Sequence, residues 1–209
     1  AYTDPEVSHV FSLWRGLIQK GLFNQRPNEL DFDSGAATTV YRGEAAMTLM
    51  GTWLIGYYNG PEYKWREGDD YGFFPFPEID QNIPPVALGP IDGLVLAKNA
   101  KNSAGAKAVL RHFSSVRVQE AMSRGTGAIA PALGASELAY SPMKLDIRRE
   151  ISTASAWAFN YDLAASPETA EIGLRLFAEF IEFPDQYKIL LEKTERRMKQ
   201  LPSSSVRVP

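Results

Sequence analysis

The sequence predicts a helix-rich α/β fold, and three features carry that expectation. Stretches near residues 5–20, 103–113, 142–154, 167–181 and 187–201 repeat apolar side chains every three or four positions, the period of an amphipathic helix. Short apolar runs at 45–50 and 89–98 lie between turn residues, as strands do, and each leads into a helix start. Ser141-Pro142 and Ser166-Pro167 place a capping residue directly before proline, which fits the first turn of a helix.

Taken in order, Val7, Val10, Phe11, Trp14, Leu17 and Ile18 give the first helix one apolar face, with Trp14 read as core and Gly21 as its stop. Residues 24–33 read as a loop, and Ser34 can cap a short helix ending at Tyr41. A turn at Arg42 and Gly43 leads to the strand at 45–50, a break at Gly51, and a helix that Thr52 can cap. Trp53 falls in the first turn of that helix. In open α/β sheets ligands sit beyond the carboxyl ends of strands, where helix N-termini offer free N–H groups, so Trp53 is expected at the mouth of a cleft.

Residues 59–70 are polar and loop-like, with Asp69 and Asp70 read as solvated charges, and 71–77 read as an aromatic edge strand stopped by prolines. After a loop at 78–87, the strand at 89–98 has a buried-looking composition. Asn102 or Ser103 caps the next helix, whose inner face is expected to carry Ala106, Val109, Leu110 and Phe113. Another helix runs from about Val116 to Gly125. The following Gly125-Thr126-Gly127-Ala128-Ile129-Ala130 looks like a dinucleotide fingerprint but follows a helix rather than a strand, so it reads as a return loop. Met143, Ile147, Ile151 and Ala154 carry the helix after Pro142, and 157–162 alternate as a short strand. Ala170, Leu174, Phe177 and Ile181 are expected inside the next helix. Phe183-Pro184 breaks it, and Tyr187, Leu190, Leu191, Thr194 and Met198 line the last one.

With 209 residues and 44% hydrophobic content, the chain can bury a real core. A net charge of −3 without a run of five like charges implies neither nucleic acid nor an anionic membrane as partner. The absence of cysteine removes disulfides, thiolate metal sites and cysteine nucleophiles. No apolar run approaches the roughly 20 residues of a membrane span, and the first residues do not read as a signal peptide, so an export signal is expected outside this sequence. His9 and His112 lie far apart on helices, without ligand spacing. No nucleophile elbow, Walker loop, zinc motif or cofactor signature occurs.

One set of motifs resembles a known family. Tyr41, Gly43, Ala45, Ala46, Met47, Gly51 and Trp53 follow the pattern F/Y-x-x-G-x-A-A-M-x-x-x-G-x-W, which is similar to the extracellular solute-binding proteins of ABC importers, in their sugar-binding group. Gly89, Asp92, Gly93, Lys98, Lys101, Asn102, Ala106, Gln119, Gly127 and Pro131 continue the likeness, and the run from Phe177 to Arg197 resembles the group's last two helices. The resemblance implies a periplasmic-binding-protein-like two-lobed fold, helix-rich, with the amino-terminal portion of the first lobe missing. Residues 1–87 and 134–201 would then belong to the second lobe, 88–133 would return to the first, and 202–209 would be a tail. Parted from its sheet, the 88–133 section is expected to leave apolar strand edges exposed.

The same resemblance implies a sugar or oligosaccharide ligand held between lobes, an ABC importer permease as partner, and a periplasmic or extracellular location, with membrane contact only through the permease or a lipid anchor not in this chain. Sugars present hydroxyl edges and apolar C–H faces, so their sites combine aromatic platforms with multidirectional polar groups. For Trp53 the residues alone leave core packing and stacking open, and the motif favours stacking. The candidate ligand-binding set is Gly51, Thr52 and Trp53 at the turn, Asp92 with Gly93 near the hinge, Arg124 before its turn, and Trp157 with Tyr161 on one strand face. Capping for Asp92 and a surface ion pair for Arg124 are the competing readings. Ferric-ion-binding members of the wider superfamily use paired tyrosines, but Tyr57 and Tyr58 read here as packing. Two further functions stay open: a glycoside-processing enzyme using Glu44, Asp92 and Asp162, and a stand-alone interaction module.

Overall fold

The protein is described by a computed structural model over residues 1–202, apart from the side chains of Asp33 and Ser34. Its contacts divide it into two compact units, residues 1–48 with those from 159 onward, and residues 49–158. These units cut the chain at other points than the lobe limits at 87/88 and 133/134 that the resemblance implies. The expected tail beyond residue 202 lies outside the described residues.

Three helices make the core of the first unit: α1 (Pro5–Gln19), α8 (Pro167–Glu182) and α9 (Tyr187–Lys199). Pro5 and Pro167 start two of them without giving up a needed donor, and Ser166 Oγ accepts the Thr169 N–H at 3.3 Å. Phe11, Leu176, Phe180, Leu190 and Leu191 form a buried cluster, with Trp14, Phe177 and Ile181 packed against it. Phe180 is wholly buried, edge-on to Phe11 at 4.8 Å and tilted against Trp14 at 4.9 Å, so Trp14 has the core role its spacing predicted.

The inward stripe of α8 differs from expectation. Ala170, Gly173, Leu176 and Phe180 are buried, whereas Leu174 is exposed. At 3.6 residues per turn Leu174 sits about 100° round the helix from Gly173, at the edge of the face that α1 and α9 cover. A 3₁₀ turn at Pro184–Gln186 separates α8 from α9, as the Phe183-Pro184 break predicted. Before the expected short helix α2 (Ala37–Tyr41) the chain makes a π-type turn at Phe32–Ala36. The expected cap at Ser34 lies outside the described side chains.

The second unit contains α3 (Trp53–Tyr58), β1 (Val86–Leu88), α4 (Ser103–Phe113), α5 (Val116–Gly125), α6 (Pro142–Thr153) and β2 (Ala156–Ala158). Its sheet has two parallel strands, with Val86 opposite Ala156, Ala87 opposite Trp157 and Leu88 opposite Ala158. Asn102 caps α4 as predicted, its Oδ1 accepting the Gly105 N–H at 2.9 Å.

Residues 45–50, 71–77 and 89–98 do not form the strands expected of them. A strand exists only as half of a hydrogen-bonded ladder, and among the described residues β1 and β2 make the only extended pair, with Tyr71 in a single bridge to Glu67. The apolar side chains of these runs stay in solvent: Met47, Phe74, Phe76, Ile91 and Leu94 are exposed, and Val95 is 90% exposed. For the same want of a partner, Val109 and Phe113 of α4 are exposed rather than inward. The predicted strand at 157–162 is cut short too. It ends at Ala158, and Tyr161 opens the four-residue helix α7 (Tyr161–Ala164) of the first unit.

Phe180→Ala is expected to cost the first unit about 3–5 kcal/mol, the scale for emptying a buried phenyl site. Urea denaturation followed by circular dichroism measures it, and a loss under about 1 kcal/mol would mean that this cluster is not the core.

Candidate functional site

Seven of the eight predicted residues sit in the second unit, around two places, and Tyr161 sits in the first unit. The first place is the turn into α3. Thr52 has helical dihedrals and makes no side-chain cap, so the expected capping bond is absent; its carbonyl instead accepts the Ile55 N–H at 3.0 Å. The indole of Trp53 folds back over Gly51, where an added Cβ would lie 2.0 Å from the ring, and the residue remains 44% exposed. Gly51 is therefore required by contact: any side chain there would drive the indole away.

Against this turn lies the loop after α5. A Cβ on Gly127 would fall 1.7 Å from the Thr52 carbonyl oxygen and 3.0 Å from Trp53 Cα, and one on Gly56 would fall 2.9 Å from the Gly127 nitrogen. The 125–127 segment, expected as a return loop, is thus backbone packed on backbone. Arg124, just before it, is exposed and pairs with Glu120 one turn back at 4.0 Å, the surface ion pair that competed with ligand contact.

The second place is β1–β2. Trp157 is exposed, and its ring lies 3.5 Å from where a Cβ on Gly89 would stand. Asp92 and Gly93 follow on the exposed extended chain. Tyr161 does not share a face with Trp157, because β2 ends before it. Its hydroxyl is hydrogen-bonded to that of Tyr2 and donates to the Thr169 carbonyl at 3.2 Å, and its ring fills the space over Gly173. Glu44, Asp92 and Asp162, the carboxylates of the enzyme reading, are all exposed. Tyr58 is buried among Tyr63, Trp65 and Tyr71, which gives it the packing role expected.

The comparisons with known proteins agree with this architecture. Residues 16–120, half of the chain, match the profile of the family described as bacterial extracellular solute-binding protein. The chain belongs to that family. It is also 33% identical over 118 residues to an uncharacterized ABC transporter extracellular-binding protein of Pyrococcus horikoshii, a match covering 56% of this chain and 25% of the relative. Its fold is similar, with a TM-score of 0.75 and 23% identity, to that of the bacterial solute receptor AcbH, whose crystal structures and biochemistry are described as revealing an exclusive substrate preference for β-D-galactopyranose. That likeness covers 95% of this chain and 50% of AcbH, so the chain spans about half the length of that receptor. No helix among the described residues is long and apolar enough to cross a membrane.

One residue that holds the loop packed on the Trp53 turn went unread in the sequence of this family member. Lys144, in the first turn of α6, is 4% exposed, the only buried charged residue among those described. Its Nζ donates to the carbonyls of Ser123 at 2.7 Å and Thr126 at 2.6 Å, so it ties down the end of α5 and the loop that meets Trp53. A helix leaves its last carbonyls without partners and gathers negative partial charge there, which suits a buried ammonium. The available signal was the spacing of Lys144, Ile147 and Ile151 on one helical face. At the neck of the same helix Ser141 Oγ donates to Glu67, which also accepts from Asn59 Nδ2 at 2.8 Å.

Burial lowers the Lys144 pKa from its ordinary 10.5, with the charge of Glu67 opposing the shift. An unfolded chain therefore holds this proton at pH values where the fold has released it, so stability gained through Lys144 increases as pH rises from the lowered folded value to about 10.5 and then levels off. The stability difference between the wild type and Lys144→Met, measured by denaturant titration at pH 8 and pH 10.5, is expected to widen at the higher pH. A narrowing difference would contradict a depressed pKa.

Proposed function

We propose that this chain is part of the substrate-binding component of an ABC sugar importer. It holds a sugar or oligosaccharide in an interlobe cleft and presents it to a membrane permease outside the cytoplasmic membrane. The observation that carries the reading is Trp53: a large, exposed indole seated on Gly51 at the start of a helix, within a family whose members bind solutes. Such a ring offers a flat apolar platform to the C–H face of a pyranose, while nearby amide and charged groups take its hydroxyls. Gly51, Thr52 and Trp53 form the centre of this site, with Asp92, Gly93, Arg124 and Trp157 as further contacts. Tyr161 is left out, since its hydroxyl is engaged within the first unit.

Binding favours a closed arrangement of the lobes through contacts that only that arrangement makes, and closure is what a permease reads. On this reading the protein is not an enzyme and needs no cofactor. The lobe limits at 87/88 and 133/134 belong to the same proposal. The substrate preference stated for AcbH makes D-galactose the first ligand to try. Incubation with labelled galactosides and other oligosaccharides separates binding from hydrolysis: saturable binding with unchanged ligand supports the importer reading, and product formation supports the glycoside-processing one.

Trp53→Ala is expected to weaken sugar binding by about 2 kcal/mol, the scale of a buried aromatic hot spot, or roughly thirtyfold in Kd. Titration calorimetry measures the change. A folded variant with wild-type affinity would remove Trp53 from the site.

A further inference from the structure

We propose that the first turn of α6 is a clamp on both ends of α3, and that Lys144 is a positioning residue that sets the Trp53 platform. This rests on the reading of Trp53 as a sugar platform. A helix of six residues cannot hold its own direction, because so short a segment is marginal without tertiary support. Its support is on view. At the amino end, Lys144 Nζ fixes the Ser123 and Thr126 carbonyls, and the next residue, Gly127, lies against Thr52 and Trp53 Cα. At the carboxyl end, Ser141 Oγ donates to Glu67, which receives the side-chain amide of Asn59, the residue that closes α3. Ser141 and Lys144 are one turn apart on α6, so a single rigid turn reaches both ends of the platform helix.

The amino-terminal arm is the sensitive one. Between Lys144 and the indole lie only the Thr126 carbonyl, the Gly127 backbone and the Thr52–Trp53 backbone, each in contact with the next. With no side chain at Gly127, the loop has nothing to yield when it moves, so a shift of the loop becomes a shift of Trp53. Loss of the ammonium takes this partner from the buried Ser123 carbonyl and the half-buried Thr126 carbonyl, and these would turn toward water and draw the loop away from α3.

The test uses Lys144→Met, Lys144→Arg and Gly127→Ala. Phe180→Leu serves as a control that lowers stability through the first unit. Three readouts are taken: affinity for D-galactose and for maltotriose by calorimetry, amide exchange at residues 52–55, and the part of the tryptophan emission lost in a Trp53→Phe background. Lys144→Met should weaken binding of whichever sugar the wild type binds about tenfold, speed exchange at 52–55 and shift the Trp53 emission. Lys144→Arg, which keeps charge and donors, should recover most of each change, and Phe180→Leu should produce none of them. Gly127→Ala keeps the lysine but pushes the loop off Thr52, so it should reproduce the Trp53 shift even if Lys144→Met does not fold. Unchanged Trp53 emission and 52–55 exchange in a folded Lys144→Met or Gly127→Ala variant would overturn the clamp. Wild-type protein that binds neither sugar would count against the sugar reading, while emission and exchange still decide the clamp.

Discussion

A buried ammonium between two carbonyls organises the second unit. The end of α5 presents carbonyl oxygens that no further helical turn can satisfy, and Lys144 reaches them from the neighbouring helix. An apolar side chain of the same length would fill the space and leave both oxygens desolvated, whereas the ammonium meets them with two charge-assisted bonds. The burial that this requires is visible in the depressed pKa. From that point the chain of contacts runs through Gly127 to the turn at Thr52 and on to Trp53, which links an exposed ring to a charge that solvent scarcely touches.

The first unit is held in a different way. Its helices meet through aromatic and aliphatic side chains around Phe180, with no buried charge among its described residues; its polar links run from exposed pairs such as Arg15 with Asp185 at 2.6 Å to the half-buried Tyr2–Tyr161 hydroxyl pair. Apolar packing of this kind tolerates small adjustments in side-chain position, while a lysine held between two carbonyls does not. The more exacting interaction therefore stands beside the Trp53 turn, and the more tolerant one supplies bulk stability.

The apolar runs at 71–77 and 89–98 show what happens to a strand pattern without a ladder partner. The first reads as an edge strand and the second as a buried one, yet Phe74, Phe76, Leu94 and Val95 stand in solvent without ladder partners. Burial of such side chains is worth about 25 cal/mol per Å² of apolar surface, and most of that is not collected here. The family's solute-binding role is consistent with the rest of the picture: aromatic rings exposed on turns and short strands, carried by helices that are themselves well anchored.

The sequence by itself determined the longer helices, several of their starts and the aromatic turn, though not α7 or the start of α3. Ser166 and Asn102 cap where hydroxyl and amide oxygens precede apolar periodicity, Phe183-Pro184 breaks where backbone donors run out, and the Tyr41-to-Trp53 motif marks the family, because all of these are set by residues within a few positions of one another. Tertiary structure decided what depends on distant partners. Whether 89–98 is a strand rests on a neighbour that local sequence does not name, and whether Leu174 or Leu176 faces inward rests on which side α1 and α9 approach. Lys144 shows the limit most clearly. Its spacing with Ile147 and Ile151 puts it on the inward helical face, but its partners, Ser123 and Thr126, are some twenty residues away and become acceptors only where α5 ends against α6.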